Sequence, residues 1–127
     1  MKIKHLDHIV LTVRNVETTC HFYQKVLGMQ VESFGKQGHK ALHFGHHSIK
    51  LHQLGQELTP HAKFPTPGAA DICLITDSDI DEVITHIKLY GVEIEQGPVR
   101  RTGAQGEIIS VYFRDPDANL IEVSNYT

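Results

Sequence analysis

Apolar and polar residues along the chain follow a strand-like period in some segments and a helical period in others. The apolar, β-branched run at 8–13 predicts a strand, and Asn15 is a candidate N-cap for the segment that follows it. From 16 to 27 apolar residues recur at helical spacing until Gly28, a residue suited to a left-handed C-terminal cap. Glycine-containing turns then separate three predicted strands: 30–34, 40–44 and 48–54.

The same order of elements recurs after a connector at 55–70, where three prolines and Gly68 interrupt any periodicity. A strand is predicted at 71–76, and the capping-box pattern at 78–81 opens an amphipathic helix that ends at Gly91. The last three predicted strands are 92–95, 108–114 and 119–125.

Two pairs of markers show that the second half repeats the first. The interval from Gly28 to Gly91 equals the interval from His8 to Asp71, and each half ends in a hairpin. We therefore predict a duplicated βαβββ pattern within a single domain. Module one covers about 1–54, the connector about 55–70 and module two about 71–127.

One acidic residue lies within the last apolar strand. The sequence Asp-Pro-Asp-Ala-Asn at 115–119 predicts a turn between two strands, because proline fixes φ and Asx side chains bond nearby backbone. Alternation directs Ile121 and Val123 to one face of the second strand and Glu122 to the other. A carboxylate in such a strand needs a metal ion, a cation or a polar cleft as its partner.

Composition limits the classes of partner. The chain has 127 residues, of which 40% are hydrophobic and 21% charged, as expected for one compact domain. A net charge of -3, with scattered basic residues, argues against nucleic acid and favours a small-molecule partner. The absence of an apolar signal core or membrane-spanning run makes the cytoplasm the expected location. Cys20 and Cys73 have no metal-type spacing and are expected to be buried, reduced thiols.

Three motifs together resemble the vicinal oxygen chelate superfamily, the group of glyoxalase I, fosfomycin-resistance, extradiol dioxygenase and bleomycin-resistance proteins. They are Leu6–Leu11 with its histidine, the helix with Phe22-Tyr23 that ends at Leu27-Gly28, and Phe113–Asp117 followed by Leu120-Ile121-Glu122. The resemblance implies an α+β fold of two tandem βαβββ modules that form an open, barrel-like sheet cleft with the helices outside. It also implies a homodimer.

Carried onto this sequence, the resemblance implies metal ligands at His8, Asp71 and Glu122, with Glu122 also able to transfer a proton. Lys50 occupies the fourth ligand position, where an ammonium has no lone pair to donate, so His52 on the same strand face is a candidate substitute. One imidazole and two carboxylates suit Mn²⁺, Fe²⁺ or Ni²⁺, and Zn²⁺ is also compatible. Asp71 itself departs from the histidine common at its position.

The function implied first is that of a metal-dependent, glyoxalase-I-like lyase or isomerase for a small oxygenated or thiol-conjugated metabolite. The alternative is a metal-free binding or sequestration protein of the bleomycin-resistance type. A thiol transferase acting on an epoxide and a ring-cleaving dioxygenase are less favoured, the first for lack of basic phosphonate-binding residues and the second because of Asp71. Arg100 and Arg101, expected on a loop before the strand at 108–114, and Lys50 are candidate contacts for a substrate anion.

Overall fold

The computed structural model describes residues 1–127, which form two compact units, residues 1–67 and residues 68–127. Each unit contains one helix and four strands. The elements of the first unit are β1 (His8–Val13), α1 (Val16–Leu27), β2 (Gln30–Phe34), β3 (His39–Phe44) and β4 (His47–Gln53). The elements of the second are β5 (Asp71–Ile75), α2 (Ile80–Leu89), β6 (Gln96–Gly103), β7 (Gly106–Arg114) and β8 (Leu120–Tyr126).

The first unit is a four-stranded sheet, in the order β1-β4-β3-β2, with α1 packed against β2, β3 and β4. The predicted N-cap is confirmed, because the Asn15 side chain accepts a hydrogen bond from the backbone of Thr18 at 2.9 Å. Gly28 ends the helix at φ 66°, a left-handed conformation that costs glycine little. Tyr23 of the helix and Leu42 of the sheet are fully buried and form part of the core.

The second unit has the same arrangement, with sheet order β5-β8-β7-β6 and α2 against β7 and β8. In each unit the first strand is parallel to the last strand of that unit: β1 pairs with β4, and β5 pairs with β8. The remaining pairs are antiparallel. The predicted βαβββ repeat is therefore confirmed. Each sheet is open, since its strand order begins and ends at an unpaired edge.

Strand register gives the repeat a residue-level correspondence. Lys50 lies beside Val10 on the parallel neighbour, and Glu122 lies beside Cys73 in the same way. Because facing residues of paired strands share a sheet face, Lys50 and Glu122 occupy equivalent positions of the two units. This is the equivalence expected from the sequence for the last strand of each module.

One predicted strand is wrong. Residues 92–95 have no regular structure, and the strand lies at Gln96–Gly103, a segment that the sequence placed in a loop with Arg100 and Arg101. Gly97-Pro98 resembles a turn, but proline is tolerated in β6 because this strand is an edge of its sheet, where one side makes no ladder hydrogen bonds. A register irregularity between Gln96 and Val99 accommodates the two residues.

The turn between β7 and β8 is held by its own polar side chains. Asp115 accepts hydrogen bonds from the backbone of Asp117 and Asn119 and from the Asn119 side chain, at 2.8 to 3.0 Å. Asn119, only 2% exposed, accepts a further bond from the backbone of Ala70. The predicted hairpin is confirmed, and these bonds fix where β8 begins beside β5.

Two other expectations have structural outcomes. Cys20 and Cys73 are both free thiols, but only Cys20 is buried, and the expectation that Cys73 is buried is wrong. Neither helix is long and apolar enough to cross a membrane.

Candidate functional site

The candidate residues of the first unit lie on β1 and β4. His8 begins β1, and its Nδ1 lies 2.8 Å from Oδ2 of Asp7. Because a carboxylate can only accept, Nδ1 carries the proton, and the neutral tautomer that has its proton on Nδ1 keeps a lone pair on Nε2. The hydrogen bond from His8 is the main cause that lowers the pKa of Asp7. Metal-binding histidines are commonly oriented by such a carboxylate on the second nitrogen.

Lys50 lies on the same face of the sheet, one alternation further along the paired strands. Its Nζ is 4.9 Å from the centre of the Phe34 ring, a cation–π contact that holds the ammonium over β2. An ammonium has no lone pair with which to coordinate a metal ion. Of the two ligand positions that the family pattern gives the first unit, only that of His8 therefore carries a metal-binding side chain.

Glu122, half-buried in β8, is held by a chain of hydroxyl groups. Ser110 of β7 donates from Oγ to Glu122 Oε2 at 2.5 Å, and Ser110 Oγ also lies 2.6 Å from Ser124 Oγ. Both serines are fully buried. Since the Ser110 proton is committed to Glu122, Ser124 is the donor in the second bond. The carboxylate is thus fixed by two hydroxyl groups that have no access to solvent.

Cys73 lies directly beside Glu122 on β5, with Asp71 on the same face of that strand. The Cys73 thiol is 3.4 Å from Ser124 Oγ. Although the residue is open to solvent on one side, partial desolvation of the thiol raises the pKa of Cys73. The negative charges of Glu122 and Asp71 raise it further, against the hydrogen bond with Ser124, so the group stays a neutral thiol. Asp71 is exposed at the beginning of β5.

Tyr112 faces Glu122 from β7, on the side opposite Cys73. Its hydroxyl accepts a hydrogen bond from Arg101 Nε at 3.1 Å, and the Arg101 guanidinium lies 5.6 Å from the ring centre. Burial raises the pKa of Tyr112, with a smaller contribution in the same direction from Glu122. Arg101, Tyr112 and Glu122 therefore lie side by side on one face of the second sheet.

His52 occupies a separate environment at the end of β4. It lines a pocket of about 420 Å³ together with His39, Asn15 and Gln53. His52 is 8% exposed, and its Nδ1 has no hydrogen-bond partner. Burial lowers the pKa of His52 although Glu57 opposes the shift, so the ring is neutral at pH 7. Its role as a substitute metal ligand stays a prediction.

The donor types suit a divalent ion, but the predicted triad takes ligands from both units. Within either unit, no group of three or more His, Cys, Asp or Glu side chains is arranged to hold a metal ion. His8 offers an oriented imidazole nitrogen, and Asp71 and Glu122 offer oxygens on one sheet face. One nitrogen and two carboxylates form a set that Mn²⁺, Fe²⁺, Ni²⁺ and Zn²⁺ accept. Their convergence on one ion stays a prediction.

Several residues that shape the site were not singled out from the sequence. Asp7 is adjacent to His8, and its contact was detectable as a carboxylate next to a candidate ligand. Alternation along β7 and β8 places Ser110 and Ser124 on the face of Glu122, but the register that joins them depends on the turn at 115–119. The strand at Cys73 was recognised, whereas its position beside Glu122 depends on a parallel pairing between distant segments.

The chain is similar to one protein family and to several known proteins. Residues 5–123 match the family model described as the Glyoxalase/Bleomycin resistance protein/Dioxygenase superfamily. The virulence protein STM3117 of Salmonella typhimurium is 52% identical over 126 residues, which cover 99% of this chain and 87% of that protein. Its crystal structure covers all of this chain with a TM-score of 0.97.

Two further solved structures are similar. An integron cassette protein from the mobile metagenome of V. cholerae is 57% identical, covers 100% of this chain and 98% of its own, and has a TM-score of 0.98. A fosfomycin resistance protein of Listeria monocytogenes, a mutant solved with Mn(II) and 1S,2S-dihydroxypropylphosphonic acid, is 27% identical. The match covers 96% of this chain and 90% of that protein, with a TM-score of 0.66.

Proposed function

Because the chain belongs to the glyoxalase/bleomycin resistance protein/dioxygenase superfamily, we propose that it is a metal-dependent enzyme of the glyoxalase-I-like lyase or isomerase type. Its substrate is a small oxygenated or thiol-conjugated metabolite. The proposal requires the two units to act as one vicinal oxygen chelate domain that brings His8 to Asp71 and Glu122. We include a homodimer in the proposal, since members of this superfamily commonly pair.

The observation that carries the proposal is the hydrogen bond between His8 and Asp7. The bond, 2.8 Å long, fixes the tautomer that leaves Nε2 available to an ion. An imidazole in an ordinary surface position gains little from such orientation, whereas a metal ligand gains affinity from it. The similarity to a fosfomycin resistance protein solved with Mn(II) supports the same class of ligand.

The chemistry assigned to each group follows from its charge and its position. A bound divalent ion supplies Lewis acidity that polarises a substrate oxygen. Glu122 accepts a proton from the substrate carbon or oxygen and returns it, as a general base and then a general acid. Ser110 keeps the carboxylate in one orientation through this exchange, and the neutral thiol of Cys73 presents no competing negative charge.

A thermal-shift series over Mn²⁺, Fe²⁺, Ni²⁺ and Zn²⁺ tests the proposal, because an ion that binds the folded state raises its apparent stability. His8→Ala and Glu122→Gln are expected to abolish the shift. His46→Ala, in the exposed turn before β4, is the matched control and is expected to retain it. Elemental analysis of the purified protein identifies the ion, and product analysis with methylglyoxal and glutathione tests the glyoxalase reaction itself.

Lys50 favours a second candidate function, a metal-free protein that binds or sequesters a small molecule. Its ammonium occupies the position of a metal-coordinating side chain and lies over the Phe34 ring. Lys50 and Phe34 together present a charged and an aromatic surface to a small molecule. This function predicts no thermal shift with any ion. A wild-type protein that is stabilised by none of the four ions would therefore replace the enzyme proposal with the binding proposal.

A further inference from the structure

We propose that Arg101 binds an anionic group of the substrate, a carboxylate or a phosphate-type oxyanion, on the face of the second sheet that carries Glu122. The inference rests on the proposed function, because it takes Glu122 as the group that faces the reacting part of the substrate. It also separates two arginines that are equivalent in the sequence.

The two arginines face opposite sides of β6. Arg100 pairs in register with Ile109 and Arg101 with Ile108, so alternation sends their side chains to different faces. Arg100 forms an ion pair with Glu107, with Nη1 3.4 Å from Oε1. Its charge thus already has a carboxylate partner.

Arg101, in contrast, has a fixed position and no acidic partner. Its Nε donates to the hydroxyl of Tyr112 at 3.1 Å, and its Nη1 donates to the carbonyl of Arg100 at 3.0 Å. The guanidinium also contacts the Tyr112 ring, 5.6 Å from its centre. These contacts hold the guanidinium in place, while Nη2 makes no hydrogen bond within the chain. Most of the cost of ordering this long side chain is therefore met before a ligand binds.

Such a guanidinium is suited to an oxyanion. Arginine keeps its positive charge at all relevant pH values, and its planar donors match the oxygens of a carboxylate or a phosphate. Neutral ligands would leave its charge unpaired. The Arg101 guanidinium therefore indicates an anionic ligand, which is a narrower class than membership of the family indicates.

Tyr112 sets the distance between this cation and Glu122. It contacts Arg101 with its hydroxyl and ring and faces Glu122 across the β7–β8 pair, so the two charges form no ion pair with each other. A substrate that lies along Tyr112 would place its anion at Arg101 and its reacting end at Glu122. The reverse orientation would put the substrate anion against the Glu122 carboxylate, where like charges repel. The site thus favours a small molecule with an anion at one end and an oxygenated reacting group at the other.

NMR titrations of the arginine side-chain Nε–H signals test this inference with inorganic phosphate, malate and uncharged dimethyl malate. The Arg101 signal is expected to shift saturably with at least one of the two anions and not with the diester. Phosphate alone identifies a phosphate-type ligand, and malate alone identifies a carboxylate. Absence of a saturable shift with either anion refutes the inference.

Variants separate a specific site from surface charge. Arg101→Gln is expected to weaken anion binding about 10- to 100-fold, as loss of charge-assisted hydrogen bonds does. Arg100→Gln removes the same charge from the neighbouring position and should change the affinity less than about twofold. Equal losses in the two variants would show a non-specific effect and overturn the inference. If Arg101→Gln does not fold, Arg101→Lys tests the same point, because it keeps the charge but lacks the planar donors.

The metal experiment keeps the two proposals distinguishable. Arg101→Gln should retain the full thermal shift with divalent ions, since Arg101 is not an ion ligand. If wild type shows no ion shift but binds anions through Arg101, the metal-dependent chemistry is wrong and the anion site stands. If ions stabilise the protein but Arg101→Gln binds the anions as wild type does, this inference alone is refuted.

Discussion

The hydroxyl of Ser110 lies 2.5 Å from Oε2 of Glu122, and it is completely shielded from solvent. The hydrogen bond from Ser110 limits the rotation of the carboxylate. Ser124 continues the chain to the same hydroxyl at 2.6 Å. Two ordinary strand residues thereby determine how the proposed catalytic group is presented.

Replacement of Ser110 by alanine is expected to affect both stability and the ion response. It removes the hydrogen bonds of Ser110 to Glu122 and to the buried Ser124, which costs about 1 to 3 kcal/mol in the free energy of unfolding. Urea denaturation measures this loss, and the thermal shift with Mn²⁺ should become smaller. Ser124→Ala is the control, because it keeps the bond from Ser110 to Glu122. An unchanged ion response in Ser110→Ala would show that Ser110 has a structural role only.

Asp7→Asn is expected to weaken ion binding without unfolding the protein. Asparagine keeps the size of the side chain but can no longer enforce the protonated Nδ1 of His8 as a carboxylate does. Loss of such an outer partner typically lowers metal affinity about 10- to 100-fold. Titration calorimetry with Mn²⁺ measures the change. Asp7 is largely exposed, with a side-chain exposure of 86%, so the melting temperature of the ion-free protein should stay constant. An affinity equal to that of wild type would contradict the role assigned to Asp7.

Ala118→Gly is expected to stabilise the protein, although glycine usually destabilises ordered chain. Ala118 is exposed in the turn after β7 and has φ 66°, a left-handed conformation that alanine adopts at a cost. Relief of this cost should raise the free energy of unfolding by up to about 1 kcal/mol, after the entropy that glycine adds to the unfolded chain. Urea denaturation checks the sign. Destabilisation would show that the unfolded-state entropy outweighs the local strain.

His52 is expected to make stability depend on pH below about 6.5, its ordinary pKa. Burial lowers the pKa of the folded state, so the unfolded chain takes up the proton first. The resulting stability is fully present above 6.5 and is lost as the pH falls toward the lower folded-state value. His52→Gln should flatten this part of the profile.

Denaturant unfolding between pH 7 and about 5 measures the profile, in a range above the ordinary titration of glutamate. His46→Gln, in the exposed turn, should keep the wild-type slope. Equal slopes in wild type and His52→Gln would show that other histidines determine the dependence.

Much of the fold was predictable because the hydrophobic periodicity and the helix-capping residues indicate the same elements. β1, β2 and α1 have the bounds that periodicity and caps predict, including Asn15 and Gly28. β6 was missed because its glycine and proline follow turn chemistry, and only its place at the sheet edge explains why they occur in a strand. Local sequence does not encode that place.

The site was less predictable than the fold. Alternation correctly set Glu122 on the face opposite Ile121 and Val123, and the repeat paired it with Lys50. The difference between Arg100 and Arg101 needed the true register of β6 on β7, and the contact between Ser110 and Glu122 needed that of β7 on β8. Pairings between separate strands depend on the whole sheet, so these partners are visible only in three dimensions.

The placement of Pro98 in β6 also affects how the protein behaves in concentrated solution. An exposed edge strand can form hydrogen bonds with strands of other molecules, which is a common first step of aggregation. Here the irregularity between Gln96 and Val99 bends the edge strand, Pro98 removes a donor, and Arg100 and Arg101 add positive charge. These three features therefore protect the free edge of β6 against pairing with strands of other molecules.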